Sequence, residues 1–266
     1  MILISGTLMQ TSGNYRDVLG MRVTAFGWED ALQVLDSGLR PGCKQRIVNF
    51  LNANNANIAY GNAGYREALA ASDMLLPDGI GMDIAAKAIA GEAFPANLNG
   101  TDFIPALLLH IDRPLRVALI GGSAAAVEQA AINFKKLAPW HEFRAISDGY
   151  FGEEGSERVK QDLAAFAPDF TLVAMGSPLQ ELWIKSNIGP EHGRLVMGVG
   201  ALFDFVSGQV RRAPQWVRDL RFEWVFRLLV EPGRLWHRYI VGNPLFIYRV
   251  FRYRLTHDRV ETSAAE

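Results

Sequence analysis

The chain has 266 residues, 49% hydrophobic and 21% charged, with a formal net charge of −1, which is ordinary for a soluble globular protein with a substantial core. Its single cysteine, Cys43, excludes an internal disulfide and any cysteine-rich metal site. No uninterrupted apolar run approaches the ~18–20 residues needed to span a bilayer, and Met1–Gly6 lacks the basic start and long apolar stretch of a signal peptide. The expected location is therefore the cytoplasm, or the cytoplasmic face of a membrane.

Residues 1–20 show no clear periodicity and predict a loosely ordered leader. Val23–Phe26 reads as a strand and Gly27–Leu35 as a helix with apolar residues at helical spacing. Arg46–Leu51 is the next strand and runs into an amide cluster, Asn52-Ala53-Asn54-Asn55-Ala56-Asn57, too polar for a core. Such amides suit sugar hydroxyls, and they also serve as turn and cap residues. Tyr60–Ala71 predicts one helix. Met74–Leu76 is a short strand that leads through Pro77-Asp78-Gly79-Ile80-Gly81 into a helix over 82–90. Asp78 thus sits on a stiff strand-to-helix turn, where α/β folds place chemistry; a simple turn or cap is the competing reading. Asn99-Gly100-Thr101-Asp102 opens a helix to His110, with Thr101 or Asp102 as the expected cap.

From there strands and helices alternate regularly. Arg116–Ile120, Arg144–Ser147, Phe170–Met175 and Arg194–Gly200 read as strands, with helices over Ala124–Leu137, Glu157–Phe166 and Gln180–Ser186. This alternation predicts an α/β fold, a Rossmann-like parallel sheet with helices on both faces. Ligands in such sheets bind beyond the carboxyl ends of the strands. Gly121-Gly122-Ser123, Gly176-Ser177-Pro178 and Gly198-Val199-Gly200 all fall there, and backbone N–H groups at such turns suit a diphosphate. Neither G-x-G-x-x-G nor G-x-x-x-x-G-K-[ST] is present, so a dinucleotide dehydrogenase or an NTPase has little support.

Beyond Asp204 the chain changes character. Residues 211–259 hold eleven Arg, no Lys and four acids, a balance of +7 against −6 for residues 1–210. Ten aromatic residues are interleaved with them. Arg227, Arg234 and Arg238 share a helix face if Pro232 does not break the register. Three readings compete: a helical pair packed on the domain, a nucleic-acid surface, and docking on an anionic membrane. The absence of Lys and the acidic remainder speak against nucleic acid, while a cationic amphipathic segment on an acidic protein fits a membrane surface.

Taken in order, Leu51-Asn52, Pro77-Asp78-Gly79-Ile80-Gly81, Gly100-Thr101-Asp102 and Gly176-Ser177-Pro178-Leu179-Gln180-Glu181 resemble the bacterial WecG/TagA/CpsF glycosyltransferase family. So do Gly198-Val199-Gly200 with Phe203-Asp204, Arg212-Ala213-Pro214, Glu223-Trp224 with Arg227-Leu228, and Glu231-Pro232-Gly233-Arg234-Leu235. The resemblance runs from Arg46 to Arg238. It implies transfer of a sugar from a UDP-sugar to a polyprenyl-diphosphate-linked glycan, with inversion and without a metal, in the synthesis of cell-surface polymers such as teichoic acid linkage units, capsule or exopolysaccharide. Asp78 looks like the family's proposed base. Asn52, Asn54, Gly79, Asn99, Thr101, Asp102, Gly121, Gly122, Ser123, Gly176, Ser177, Gln180, Glu181, Asp204 and Arg212 are the expected substrate-binding residues. Arg227, Arg234 and Arg238 are expected at the acceptor and the membrane. Two positions depart from the family pattern: Phe50 stands where Thr is common, and Asn97 where Arg is common, which implies a different sugar or acceptor contact, or a reassignment of diphosphate binding to C-terminal arginines. Asn54 and Asn55 are further candidates for specificity.

Absence of Asp-x-Asp, and five His without ligand spacing, agree with a metal-free reaction that needs no cofactor. The expected organisation is a leader over 1–20, an α/β transferase domain over 21–207, and a helical appendage over 208–266 that docks on the inner face of the plasma membrane and completes the active site. A nucleotide-sugar-modifying enzyme and a non-catalytic membrane or nucleic-acid adaptor are the alternatives. The sequence leaves a homo-oligomer open.

Overall fold

The computed structural model describes residues 15–219 and 223–263; residues 1–14 of the expected leader lie outside the described residues. Two antiparallel strands come first, β1 (Tyr15–Val18) and β2 (Met21–Thr24). They are joined by Leu19-Gly20, both at positive φ, as a two-residue hairpin turn requires. Residues 15–18, expected in the leader, are therefore a strand. Their alternation was too short to read beside the polar residues around them.

The main sheet contains β3 (Arg46–Leu51), β4 (Met74–Pro77), β5 (Arg116–Gly121), β6 (Glu142–Ser147), β7 (Phe170–Ala174) and β8 (Leu195–Gly198). All neighbours are parallel, in the order β4-β3-β8-β7-β5-β6. The chain lays β3 and β4 to one side, β5 and β6 to the other, then returns with β7 and β8 to fill the centre. All six strands point their carboxyl ends to one edge.

Side chains alternate between the faces, as a pleated strand requires. On one face Val48, Phe50, Leu76, Val117, Leu119, Phe170, Leu172, Leu195 and Met197 join one buried cluster. It packs under the helices Trp28–Gly38, Gly100–His110 and Ala124–Leu137. Their neighbours Ala118, Ile120, Val173 and Val196 face the opposite way, toward the helices Glu153–Phe166 and Leu179–Asn187. Leu51 and Leu75 on that second face belong to a further cluster with the hairpin and the helices Ala63–Ala70 and Ile80–Ala90. Phe246 and Val250, from the long last helix Gly242–Ser263, are buried in that same cluster.

Several local readings change. The amide cluster forms a helix, Ala53–Gly61, with Asn52 in the cap role: its Oδ1 accepts the Asn55 N–H at 3.0 Å, and Asn55, expected to be too polar for a core, is buried. Asn62 repeats the device at the Tyr65 N–H, 2.9 Å, so the single helix expected over 60–71 is divided in two. Asn99, rather than Thr101 or Asp102, caps the helix Gly100–His110, accepting the Asp102 N–H at 3.0 Å.

Candidate active site

A cavity of about 930 Å³ opens at the carboxyl edge of the sheet. Every strand of the main sheet ends at it: Asn52 after β3, Asp78 after β4, Gly122 and Ser123 after β5, Gly149 and Tyr150 after β6, Gly176 and Ser177 after β7, and Val199 and Gly200 after β8. The seam between the two halves of the sheet, where open α/β folds bind ligands, runs through its floor.

Asp78 is held from three directions. Its backbone N–H donates to the Leu51 carbonyl at 2.8 Å, fastening the turn to the end of β3. The next amide, Gly79 N–H, donates to Asn97 Oδ1 at 2.7 Å. Asn97, one of the two departures from the family pattern, is thus a clamp on the Asp78 turn. Asn52 Nδ2 then donates to Asp78 Oδ2 at 3.1 Å. The direction of that amide is fixed, because Asn52 Oδ1 is already committed to capping the helix Ala53–Gly61. Burial raises the Asp78 pKa above the usual carboxylate value; the Asn52 hydrogen bond and the Arg238 and Arg227 guanidinium groups oppose that shift.

Arg227, on the helix Glu223–Val230, and Arg238 both line the cavity, and the buried Nε of each has no hydrogen-bond partner. Arg227 lies over the Phe205 ring, 5.0 Å from its centroid. Pro232 does break the register, starting a separate helix, Pro232–Trp236. Arg227 and Arg238 nevertheless reach one cavity because the chain folds back. The Arg234 side chain lies outside the described residues.

Arg212 stands outside the lining as a tie. It contacts Asp102 Oδ1 at 2.6 Å and Glu223 Oε2 at 3.7 Å, linking the helix Gly100–His110 to the start of the C-terminal segment. Burial raises the Glu223 pKa, and Arg212 opposes it.

Of the expected substrate-binding residues, the structure brings Asn52, Asn54, Thr101, Gly122, Ser123, Gly176, Ser177, Gln180 and Asp204 to the cavity wall with Asp78. Gly79, Asn99, Gly121, Asp102, Glu181 and Arg212 lie behind it, as turn, cap, packing or ion-pair residues. Gly121 has φ +114°, and a Cβ there would stand 2.4 Å from the Ala174 backbone, so its role is the close approach of β5 to β7. Asn55, a candidate for specificity, lines the cavity but donates its side chain to the Phe50 carbonyl at 3.0 Å.

At the glycine turns four backbone amides are already engaged within the protein. Gly176 N–H and Gly200 N–H both donate to Gln180 Oε1, at 3.2 and 2.9 Å. Gly122 N–H donates to the Ala174 carbonyl at 2.8 Å, and Val199 N–H to the Val173 carbonyl at 2.8 Å. These turns shape the wall, and the positive charge comes from the two arginines.

Gly149, Tyr150 and Gln209 line the cavity without having been singled out, and Glu231 and Leu235, quoted only as part of a motif, line it as well. Tyr150 is 83% exposed at the rim. The signal was present, since Asp148-Gly149-Tyr150 follows a strand as the glycine turns do.

Among the described residues no group of three or more His, Cys, Asp or Glu side chains is placed to hold a metal ion. Buried His141 is structural: Nδ1 accepts the Leu115 N–H at 3.1 Å and Nε2 faces the Leu108 carbonyl at 2.8 Å. Among the described residues no helix is long and apolar enough to cross a membrane.

A buried carboxyl group and two guanidinium groups lining one cavity suit group transfer away from an anionic leaving group, and the chain's likenesses agree. It is 32% identical over 201 residues, 74% of either chain, to the N-acetylglucosaminyldiphosphoundecaprenol N-acetyl-beta-D-mannosaminyltransferase of Bacillus spizizenii. The profile of the glycosyl transferase WecG/TagA/CpsF family matches residues 16–260, so the chain belongs to that family and is a glycosyltransferase.

Proposed function

We propose that the chain transfers a sugar, with inversion, from a UDP-sugar to a polyprenyl-diphosphate-linked glycan. The observation that carries this is Asp78, oriented by Asn52 at the cavity wall, with Arg227 and Arg238 lining the same space. In the proposed step the acceptor hydroxyl gives its proton to the Asp78 carboxylate as its oxygen bonds to the anomeric carbon. The bond from that carbon to the diphosphate oxygen breaks, and the electron pair leaves with UDP. Attack from the face opposite the leaving group inverts the anomeric centre. Arg227 and Arg238 stabilise the charge gathering on the diphosphate, which makes a divalent cation unnecessary.

The relative's name supports a lipid-linked acceptor. So does the outer surface of the C-terminal segment, where Trp216, Leu229, Trp236 and Tyr248 are each more than half exposed. Trp and Tyr suit a membrane interface, their rings being apolar with one polar group. With the arginines nearby, this surface supports peripheral attachment to an anionic membrane.

A panel of UDP-sugars, with GDP-sugars as controls, assayed against N-acetylglucosaminyl-diphospho-polyprenol in detergent tests the reading. Transfer from one UDP-sugar, unchanged by EDTA, is expected. Transfer only from a GDP-sugar, or activity lost in EDTA and restored by Mg²⁺ or Mn²⁺, would overturn the donor or the metal-free step. Sedimentation with anionic vesicles should weaken as salt rises; salt-independent binding would remove the electrostatic docking.

A further inference from the structure

Glu181 is an acidic side chain that touches the cavity only through others. It lies in the first turn of the helix Leu179–Asn187 and is 1% exposed. Its Oε1 accepts two hydrogen bonds, from Ser177 Oγ at 2.6 Å and from Gln180 Nε2 at 3.0 Å. The buried Tyr65 hydroxyl stands beside the same carboxyl group, yet neither it nor Glu181 Oε2 closes a hydrogen bond of normal geometry.

These contacts decide which way Gln180 faces. With Nε2 directed at Glu181, its Oε1 must point the other way, where it receives the N–H groups of Gly176 and Gly200. A flipped amide would set its NH₂ against those two donors. Gly198 passes close behind the amide: a Cβ there would stand 2.9 Å from Gln180 Nε2 and 2.4 Å from Asn49 Oδ1. The turns after β7 and β8 are therefore tied through one oxygen atom. Ser177, whose hydroxyl proton is directed at Glu181, presents only lone pairs to the cavity it lines.

We propose that Glu181 is a positioning residue for sugar transfer: through Oε1 it fixes the Gln180 amide and the Ser177 hydroxyl, and through them the paired turns that wall the cavity. Ser177 is thereby set to accept a hydrogen bond from a substrate hydroxyl. Burial raises the Glu181 pKa, and the hydrogen bonds from Ser177 and Gln180 oppose it. A glutamine keeps the acceptor oxygen at Oε1 and replaces Oε2 by NH₂. The kinetic half of this inference rests on the UDP-sugar reading above; the structural half does not.

The test compares Glu181→Met, which has similar bulk and no acceptor, with Glu181→Gln in the full chain. Hydrogen exchange at the amides of Gly176 and Gly200 should quicken about tenfold in Glu181→Met and return to the parent rate in Glu181→Gln. The KM for the UDP-sugar should rise about 10- to 100-fold in Glu181→Met, as expected for buried donors left unsatisfied, with kcat changed much less. Glu181→Gln should lie within about threefold of the parent in both constants. Unchanged exchange in a folded Glu181→Met overturns the brace. Quickened exchange with an unchanged KM also overturns the proposal, because the network then serves stability alone. A Glu181→Gln variant as impaired as Glu181→Met would show that the negative charge itself is needed, which also refutes it. Should Glu181→Met fail to fold, Glu181→Asp, which withdraws the acceptor by one methylene, gives the same readouts. If the parent transfers from no UDP-sugar, the donor reading fails while the exchange result still stands.

Discussion

Replacing Asp78 by Asn should move activity and stability in opposite directions. Asn52 can present only its NH₂ group to residue 78, because its oxygen caps the helix behind it. An Asn at 78 must then turn its own oxygen to Asn52 and its NH₂ into the cavity, placing a donor where the base should be. Loss of general-base catalysis costs about 10²–10⁴-fold in turnover, or roughly 2.7–5.5 kcal/mol on the barrier. The fold should not suffer. The Asp78 pKa is raised above its ordinary value of 3.8, so over the window between the two the folded chain holds a proton that the unfolded chain has released. Stability therefore falls as pH rises through that window, and above it the ionised carboxylate is a net burden. Asp78→Asn should melt at the parent temperature or a few degrees above it; about 1 kcal/mol corresponds to roughly 2–4 °C in a chain of this size. The difference from the parent should widen as pH rises from the acid side. The same shift puts the acid limb of the parent's kcat/KM profile above the usual carboxylate range. Single-turnover transfer and thermal melts over a pH series read these quantities. Turnover within tenfold of the parent would remove Asp78 as proton acceptor, and a melting point lowered by more than ~4 °C would show that its charge supports the fold.

Arg227→Met and Arg238→Met should each raise the KM for the donor by about 10- to 100-fold, the worth of one charge-assisted hydrogen bond to phosphate; steady-state kinetics that find KM unchanged would place the diphosphate elsewhere. Gly198→Ala introduces a Cβ that would stand 2.4 Å from Asn49 Oδ1 and 2.9 Å from Gln180 Nε2. It should destabilise the chain by about 1–3 kcal/mol in urea unfolding, and an unchanged midpoint would show that the Gln180 brace has slack.

Most of the sheet could be read from the chain because β4, β5, β7 and β8 are largely buried apolar runs that end at or near glycine or proline. The strand order and its seam could not be read, but Asp78, Asn52, Ser123 and Ser177 reached the cavity because each follows a strand. What escaped the reading depends on partners distant in sequence. Nothing local tells that the amides of Gly176 and Gly200 are taken by Gln180, or that Asn97 clamps Gly79. Glu181 looked like a ligand from its place in a motif, but helical geometry turns it inward from the cavity. Pro232 breaks the helical register between Arg227 and Arg238, yet tertiary folding brings both side chains to one cavity.

The buried cluster on the hairpin side has a consequence for how the protein is made. It joins Val18, Leu51 and Leu75 to Phe246 and Val250, residues separated by nearly the whole chain. Asn57 reinforces the junction, its Nδ2 donating to the Gly242 carbonyl at 2.7 Å and its Oδ1 receiving Arg249 at 2.8 Å. During synthesis the first half of the sheet emerges long before these closing residues, and its apolar face must wait for them. The half of the molecule that carries Asp78 is then completed only once residues 242–250 have emerged, long after the turn of Asp78 itself has been made.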